Sequence, residues 1–272
     1  MRIYPNGLGE QAGGDQRASQ KPLLMSGDVW WVNSVTGTDA ASPAGKDQQK
    51  PLATLVQANT NAADNDIIVL QSGHTETLTV ALALKAVTVI GIGTTAGKPA
   101  AQIKINAAAA IMLQFTASAG ELANIYFPAA VQTDTSANGK VRVASISHCI
   151  ISGCYFESSA LDQLAALEIS AAAQGVIVED CTFISTASSG ITRPTRGLHV
   201  SGAVSEFRMT GNVFDDGGMG YSTAACDLSG GTITRLRAYG NSFLRGAETL
   251  IASATVGYFF PPTQSGGAKV TW

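Results

Sequence analysis

The chain has 272 residues, 45% of them hydrophobic and only 14% charged, with a formal net charge of −3 and four cysteines. That charged fraction is well below the roughly 25% of an ordinary soluble domain, and with no Lys/Arg run it excludes the basic footprint of a nucleic-acid binder. The most apolar stretch, residues 80–92, is broken by Lys85 and too short to span a bilayer, and the cysteines lack CxxC spacing, so neither a membrane span nor a thiolate metal site is expected.

In chain order, residues 1–28 are polar and rich in Gly, Gln and Asp, with no apolar export region and no periodic pattern. They predict an extended arm that orders only along a partner; Arg2, Tyr4, Arg17, Leu23 and Leu24 are its expected anchoring positions. Residues 29–80 predict an N-terminal cap and first coil. Val29-Trp30-Trp31-Val32 reads as an aromatic strand, followed by a Gly/Asp/Pro-rich loop over 36–50. Pro51 then opens a short helix with Leu52, Leu55 and Val56 on one face. Ile67-Ile68-Val69-Leu70 reads as a buried strand, from which Gly73-His74-Thr75-Glu76 turns away.

Downstream the chain repeats itself. Asn124-Ile125-Tyr126-Phe127, Ser152-Gly153-Cys154-Tyr155-Phe156, Glu179-Asp180-Cys181-Thr182-Phe183, Thr210-Gly211-Asn212-Val213-Phe214 and Tyr239-Gly240-Asn241-Ser242-Phe243 end alike, their phenylalanines 29, 27, 31 and 29 residues apart. A second column aligns Ser145-Ile146-Ser147, Glu168-Ile169-Ser170, His199-Val200-Ser201 and Asp227-Leu228-Ser229. Such a period marks a solenoid. Gly, β-branched residues and the absence of an i, i+3, i+4, i+7 stripe favour parallel β over helical repeats. The expected fold is all-β, a right-handed parallel β-helix of about seven coils over residues 29–260, with 81–260 following the cap and first coil, roughly 33 Å long at ~4.8 Å per coil. Phe127, Phe156, Phe183, Phe214 and Phe243 should stack in the core. Cys154, Cys181, Asn212 and Asn241 should form an inward ladder. Gly153, Gly211 and Gly240 should take a left-handed bend. Tyr258-Phe259-Phe260-Pro261-Pro262 should stop the strands, leaving 261–272 as a C-terminal cap.

Chemistry is sparse. Glu168, His199 and Asp227 should stack outward on adjacent coils, the two carboxylates about 9.6 Å apart by strand spacing, near the separation that glycoside hydrolysis uses; the plainer expectation is a solvated ladder. Glu179 with Arg208 and Arg237 is the other cluster, expected to be a surface ion pair, because no Asp-rich group faces the arginines to hold calcium. Asp215-Asp216-Gly217-Gly218 lacks calcium-loop spacing and reads as a turn. His74 is isolated and His148-Cys149 has no matching ligand pair, so no metal or other cofactor is expected. Gly91-Ile92-Gly93-Thr94 is no dinucleotide fingerprint. A disulfide along a β stack is strained, so Cys154 and Cys181 should stay thiols.

The segment from Trp30 to Leu78, with its aromatic strand, Gly37-x-Asp39 loop, Pro51-x-x-Thr54-Leu55 helix and Asp66-x-Ile68 strand, resembles the cap of pectate-lyase-like right-handed β-helix proteins. With the coils, the resemblance covers residues 29–260. That superfamily spans polysaccharide lyases, glycosidases, phage tail spikes and inert virion proteins, so it speaks for fold more than for activity. Arm, cap and short solenoid together resemble the tailed-phage members. The resemblance implies a non-enzymatic virion protein made in the host cytoplasm, a capsid decoration protein in contact with the major capsid protein or other virion proteins. The alternative is a tail spike that binds or depolymerises a host polysaccharide; a bacterial surface adhesin or lyase comes third. Small outward residues (Ala107, Ala108, Ala109 and Ala110; Ala171, Ala172 and Ala173) allow side-by-side packing, so a homotrimer is expected, with no nucleic acid and no membrane as partner.

Overall fold

The computed structural model describes residues 27–39, 44–105, 113–129, 140–159, 165–170, 172–186, 194–215, 220–244, 250–259 and 263–264. Within them the chain winds as a parallel β-solenoid with three faces. The first face is laid down by Val29–Val32, Ile67–Leu70, Thr88–Gly91, Glu121–Ala123, Ile150–Ser152, Ile177–Glu179, Arg208–Thr210 and the later part of Ala224–Tyr239. The second, an eight-stranded sheet, comprises Thr75–Leu78, Gln102–Ile105, Tyr126–Phe127, Tyr155–Ser158, Thr182–Ser185, Val213–Asp215, Ser242–Leu244 and Thr263–Gln264. The third stacks Leu82–Leu84, Leu113–Phe115, Val141–Ala144, Ala165–Ser170, Arg196–Val200 and the earlier part of Ala224–Tyr239. Because Ala224–Tyr239 runs through a corner, the first and third faces count as one sixteen-stranded sheet.

About five turns share one regular pattern, fewer than the seven or so expected. Regularity fails at both ends. The turns over 67–84 and 88–115 lack the closing phenylalanine, and Leu250–Phe259 pairs with Ala224–Tyr239 through several register shifts. Pro261 and Pro262 do not end the ladder, since Thr263–Gln264 pairs with Ser242 and Phe243. The second expected column also needs correction. The register sets Arg142, Val143 and Ala144 against Glu168, Ile169 and Ser170, whereas Ser145 sits in the following corner with φ 53°.

Alternation places the core. In Tyr155–Ser158 and Thr182–Ser185 every second residue is buried, as a strand with one face inward requires. Phe127, Phe156, Phe183, Phe214 and Phe243 stack with centroids 4.8–5.0 Å apart and planes within 10°. Beside them runs the polar ladder. Asn212 Nδ2 donates to Val178 O (2.9 Å) and Asn241 Oδ1 (2.9 Å), and Asn212 Oδ1 accepts from Cys181 N (3.0 Å). The four cysteines are buried free thiols; full burial pushes those of Cys149, Cys181 and Cys226 upward, away from reactive thiolates.

Two corners need left-handed backbone. Between the first and second faces it falls to Asn124, Gly153, Asp180, Gly211 and Gly240, all with φ between 53° and 66°. Gly, Asn and Asp tolerate that region best. Between the third and first faces it falls to Ala119, His148, Gly175, Glu206 and Arg235, a column that residue type does not mark. Ala119 is exposed at φ 66°, and left-handed backbone costs an L-residue about 1–2 kcal/mol. Glycine there restores roughly that, less 0.4–1 kcal/mol of unfolded-chain entropy. Ala119→Gly should therefore leave stability unchanged or raise it by about 0.5–1 kcal/mol in urea titrations; a loss of a full kcal/mol would refute it.

The cap closes the N-terminal mouth by side chains that imitate a further turn. Asp66 accepts from Asp28 N (2.7 Å), Trp30 Nε1 (2.8 Å) and Ala63 N (2.8 Å). Burial favours its neutral form, but these donors outweigh it and hold the carboxyl below its usual range. The helix begins at Leu55, later than expected, with Thr54 as N-cap, and it buries Leu55, Ala58 and Asn59 while Val56 stays exposed. Leu52 enters the core from a bridge to Val32 rather than from the helix. Asp39 receives Ala53 N, Thr54 N and the Thr54 hydroxyl, and Glu76 Oε2 receives Leu55 N at 2.6 Å. Asn59 meets the edge strand Leu82–Leu84 by donating to Ala83 O and accepting from Lys85 N, which blocks edge-to-edge pairing.

Candidate functional site

The outer column of the third face brings together the residues singled out from sequence. Arg142, Glu168, His199 and Asp227 stand in register on four successive turns. The strands therefore deliver the stack, but it is not solvated: Glu168 is 4% exposed and Asp227 2%. An ion buried this far needs a partner, and each acid has one. Glu168 Oε1 accepts from the Ser201 hydroxyl (2.8 Å) while its Oε2 lies 3.5 Å from Arg142 Nε. Asp227 Oδ2 accepts from Arg196 Nε at 2.6 Å, and Oδ1 accepts from both Ser229 N and the Ser229 hydroxyl. Burial alone would raise the Asp227 pKa; the Ser229 bonds and Arg196 overcome it and leave the carboxyl below its ordinary value.

His199 lies between the two acids in register, its Nε2 3.9 Å from Asp227 Oδ2, and its Nδ1 is shut from solvent without a partner. Burial, then the Arg196 charge, pulls its pKa below 6.5 although Asp227 and Glu168 push the other way. The unfolded chain takes up that proton first, so stability should fall as pH drops below about 6.5 until the folded imidazole is protonated as well. His199→Gln should flatten this decline when denaturation midpoints are followed from pH 7 to 5. Curves that stay parallel for variant and parent would mean the histidine contributes nothing.

On the first face, Arg208 Nη2 donates to Glu179 Oε2 at 2.7 Å, the ion pair expected from sequence. Arg237 is in register with Arg208 one turn on. Asp215 ends its strand almost buried; Asp216, Gly217 and Gly218 lie outside the described residues, as do the anchoring positions Arg2, Tyr4, Arg17, Leu23 and Leu24. So do Ala107, Ala108, Ala109, Ala110 and Ala171. His74 is fully buried in the cap, where its Nδ1 accepts from Ser34 N at 3.1 Å. Its Nε2 faces Glu76 Oε2 at 3.3 Å, a pairing the turn-like Gly73-His74-Thr75-Glu76 pattern does not announce. Among the described residues no group of three or more His, Cys, Asp or Glu is placed to hold a metal ion, and no helix is long and apolar enough to cross a membrane.

Sequence reasoning passed over one outward cluster on the second face. Tyr126 and Tyr155 are in register and meet edge-to-face at 5.7 Å. Lys98, carried on the hairpin of Thr94–Thr95 and Lys98–Pro99, sits 4.9 and 5.0 Å from the two rings and pairs with Glu157. Tyr126 donates its hydroxyl to Glu157 at 2.5 Å. The shared spacing of the two tyrosines was the available signal. No protein-family model matches the chain, and none of the curated proteins matches it.

Proposed function

We propose that this chain is a non-enzymatic structural protein of a tailed-bacteriophage particle, a member of the pectate-lyase-like right-handed β-helix superfamily. It decorates the outer capsid as a homotrimer, held by residues 1–28. What carries the inert reading is the pairing of Glu168 with Arg142 and of Asp227 with Arg196. A glycosidase pair needs one carboxyl that keeps its proton at working pH. Asp227, tied to Arg196 and Ser229 with a lowered pKa, could be only the ionised member; both carboxylates are almost wholly buried and already engaged by protein partners, which favours a ladder between turns. A stack of short parallel strands with a continuous core is a stiff body suited to reinforcing a surface. The capsid assignment rests on the resemblance of cap, arm and coils to phage proteins.

Gold-labelled electron microscopy of the parent particles, with an antibody raised against the solenoid, tests this. Label over the head is expected; label confined to the tail would move the protein to the spike, and unlabelled particles would remove it from the virion. The spike reading has one observation in its favour, the outward Tyr126–Tyr155 pair, since glycan-binding surfaces use such rings. Its test is cleavage of host surface glycans: activity that is lost in Glu168→Gln or Asp227→Asn would overturn the inert reading.

A further inference from the structure

At the C-terminal end of the first face, ion pairs follow a rule. Arg208 pairs with Glu179 and Arg235 pairs with Glu206, each arginine taking the carboxylate 29 residues and one turn before it. Arg237 breaks that rule. In its register the preceding turn offers Arg208, another cation, so two guanidinium side chains start from directly opposed positions. Like charges directly opposed across neighbouring strands destabilise a sheet, and the acid that Arg208 pairs with among the described residues lies on its far side, at Glu179. Arg237 is exposed and has no partner among the described residues. Two further donors beside it, Arg208 Nε and the Thr210 hydroxyl, are unsatisfied and closed to solvent as the chain stands. Tyr239, 41% exposed, is one of the few large apolar side chains left on the surface; it follows Arg237 by two residues, on the same side of the strand.

We infer that this corner, centred on Arg237 and flanked by Arg208, Thr210 and Tyr239, docks an acidic protein surface, a partner's carboxylate entering where the ladder lacks one. The inference rests on the virion reading and deepens it by naming the part of the solenoid that faces the shell. An arginine pair beside an exposed tyrosine is the residue chemistry of an interface centre. The outer side of a sheet is open, without walls to enclose a saccharide, which favours a broad partner over a sugar chain. A guanidinium fork binds a carboxylate through two parallel bonds, and the match of charge would also speed encounter.

The test is cosedimentation of the full chain with parent particles stripped of it, across a range of sodium chloride, using the parent protein, Arg237→Glu and Arg237→Lys. Arg237 is exposed, so the variants should fold, checked by circular dichroism and unchanged Tm. Arg237→Glu should bind tenfold or more weakly, about 1.4 kcal/mol, with a shallower salt dependence, and Arg237→Lys should fall between. Equal binding of parent and Arg237→Glu would overturn the docking site and leave the virion reading standing. If the parent protein itself fails to sediment, the virion reading falls, and the site is then tested alone with poly-L-glutamate at low salt. Binding lost in Arg237→Glu supports it, and no binding, or equal binding, overturns it. Preference for polygalacturonate over poly-L-glutamate would reassign the corner to an acidic sugar and overturn the protein partner.

Discussion

Phe183→Ala is expected to cost about 3–5 kcal/mol of stability, the range for removing a large aromatic side chain from a core that cannot close over the gap. Phe183 is fully buried, with Phe156 on one side and Phe214 on the other, each 5.0 Å away and nearly parallel. Collapse onto the void would need neighbouring turns to approach, yet their separation is fixed by backbone hydrogen bonds such as Thr182 N to Cys154 O and Val213 N to Cys181 O. The lost ring therefore forfeits its burial, two ring contacts worth about 0.5–1.5 kcal/mol each, and the packing of the cavity wall. Phe243→Ala should cost less, because among the described residues Phe243 has a ring neighbour only in Phe214, and it keeps 4% exposure. Urea denaturation of the two variants decides the matter. Equal losses, or a loss under about 1 kcal/mol at Phe183, would show that the stack relaxes freely.

Asn212→Leu should be comparably severe for a different reason. The change conserves volume, so it opens no cavity, but it removes a group that serves three partners. Cys181 N–H loses its acceptor and Val178 O a donor, while Asn241 Oδ1 keeps the backbone N–H of residue 212. Each buried group left unsatisfied costs about 1–3 kcal/mol, giving roughly 2 kcal/mol or more. Asn212→Asp separates the parts, since it keeps an acceptor for Cys181 N–H and loses the donor. If Asn212→Leu proves neutral in the same titration, the ladder is packing and not polar satisfaction.

Both residues were legible in sequence because the solenoid writes each structural demand once per turn. Phe183 and Asn212 belong to columns that recur near every 29 residues, and Gly153, Gly211 and Gly240 mark a corner for the same reason. The opposite corner was not legible. Ala119, His148, Glu206 and Arg235 take the left-handed backbone there without a shared residue type to mark the column. Strand parity correctly put Glu168 and Asp227 on the outer side of the third face. It gave no sign that they would be buried, which depends on segments distant in sequence. Arg142 was missed as a partner because the column was aligned on Ser145, three residues late, and Arg196 because it lies outside the repeated triplets. The cap's Asp66–Trp30 bond and Glu76–Leu55 bond join residues 36 and 21 apart with no periodicity to reveal them.

In the regular turns the strands pair only with the strands of the turn before and the turn after. Such a body has no centre, and the chain works as a ruler. Duplicating one period of about 29 residues between the cap and the last turns lengthens the rod by ~4.8 Å and creates only interfaces of a kind already present. Deleting a single residue inside a strand is far more damaging, for it sends every later inward side chain of that strand outward. Insertions and deletions in lineages of this chain should accordingly come in whole turns or fall in corners, and the rod's length should vary in steps.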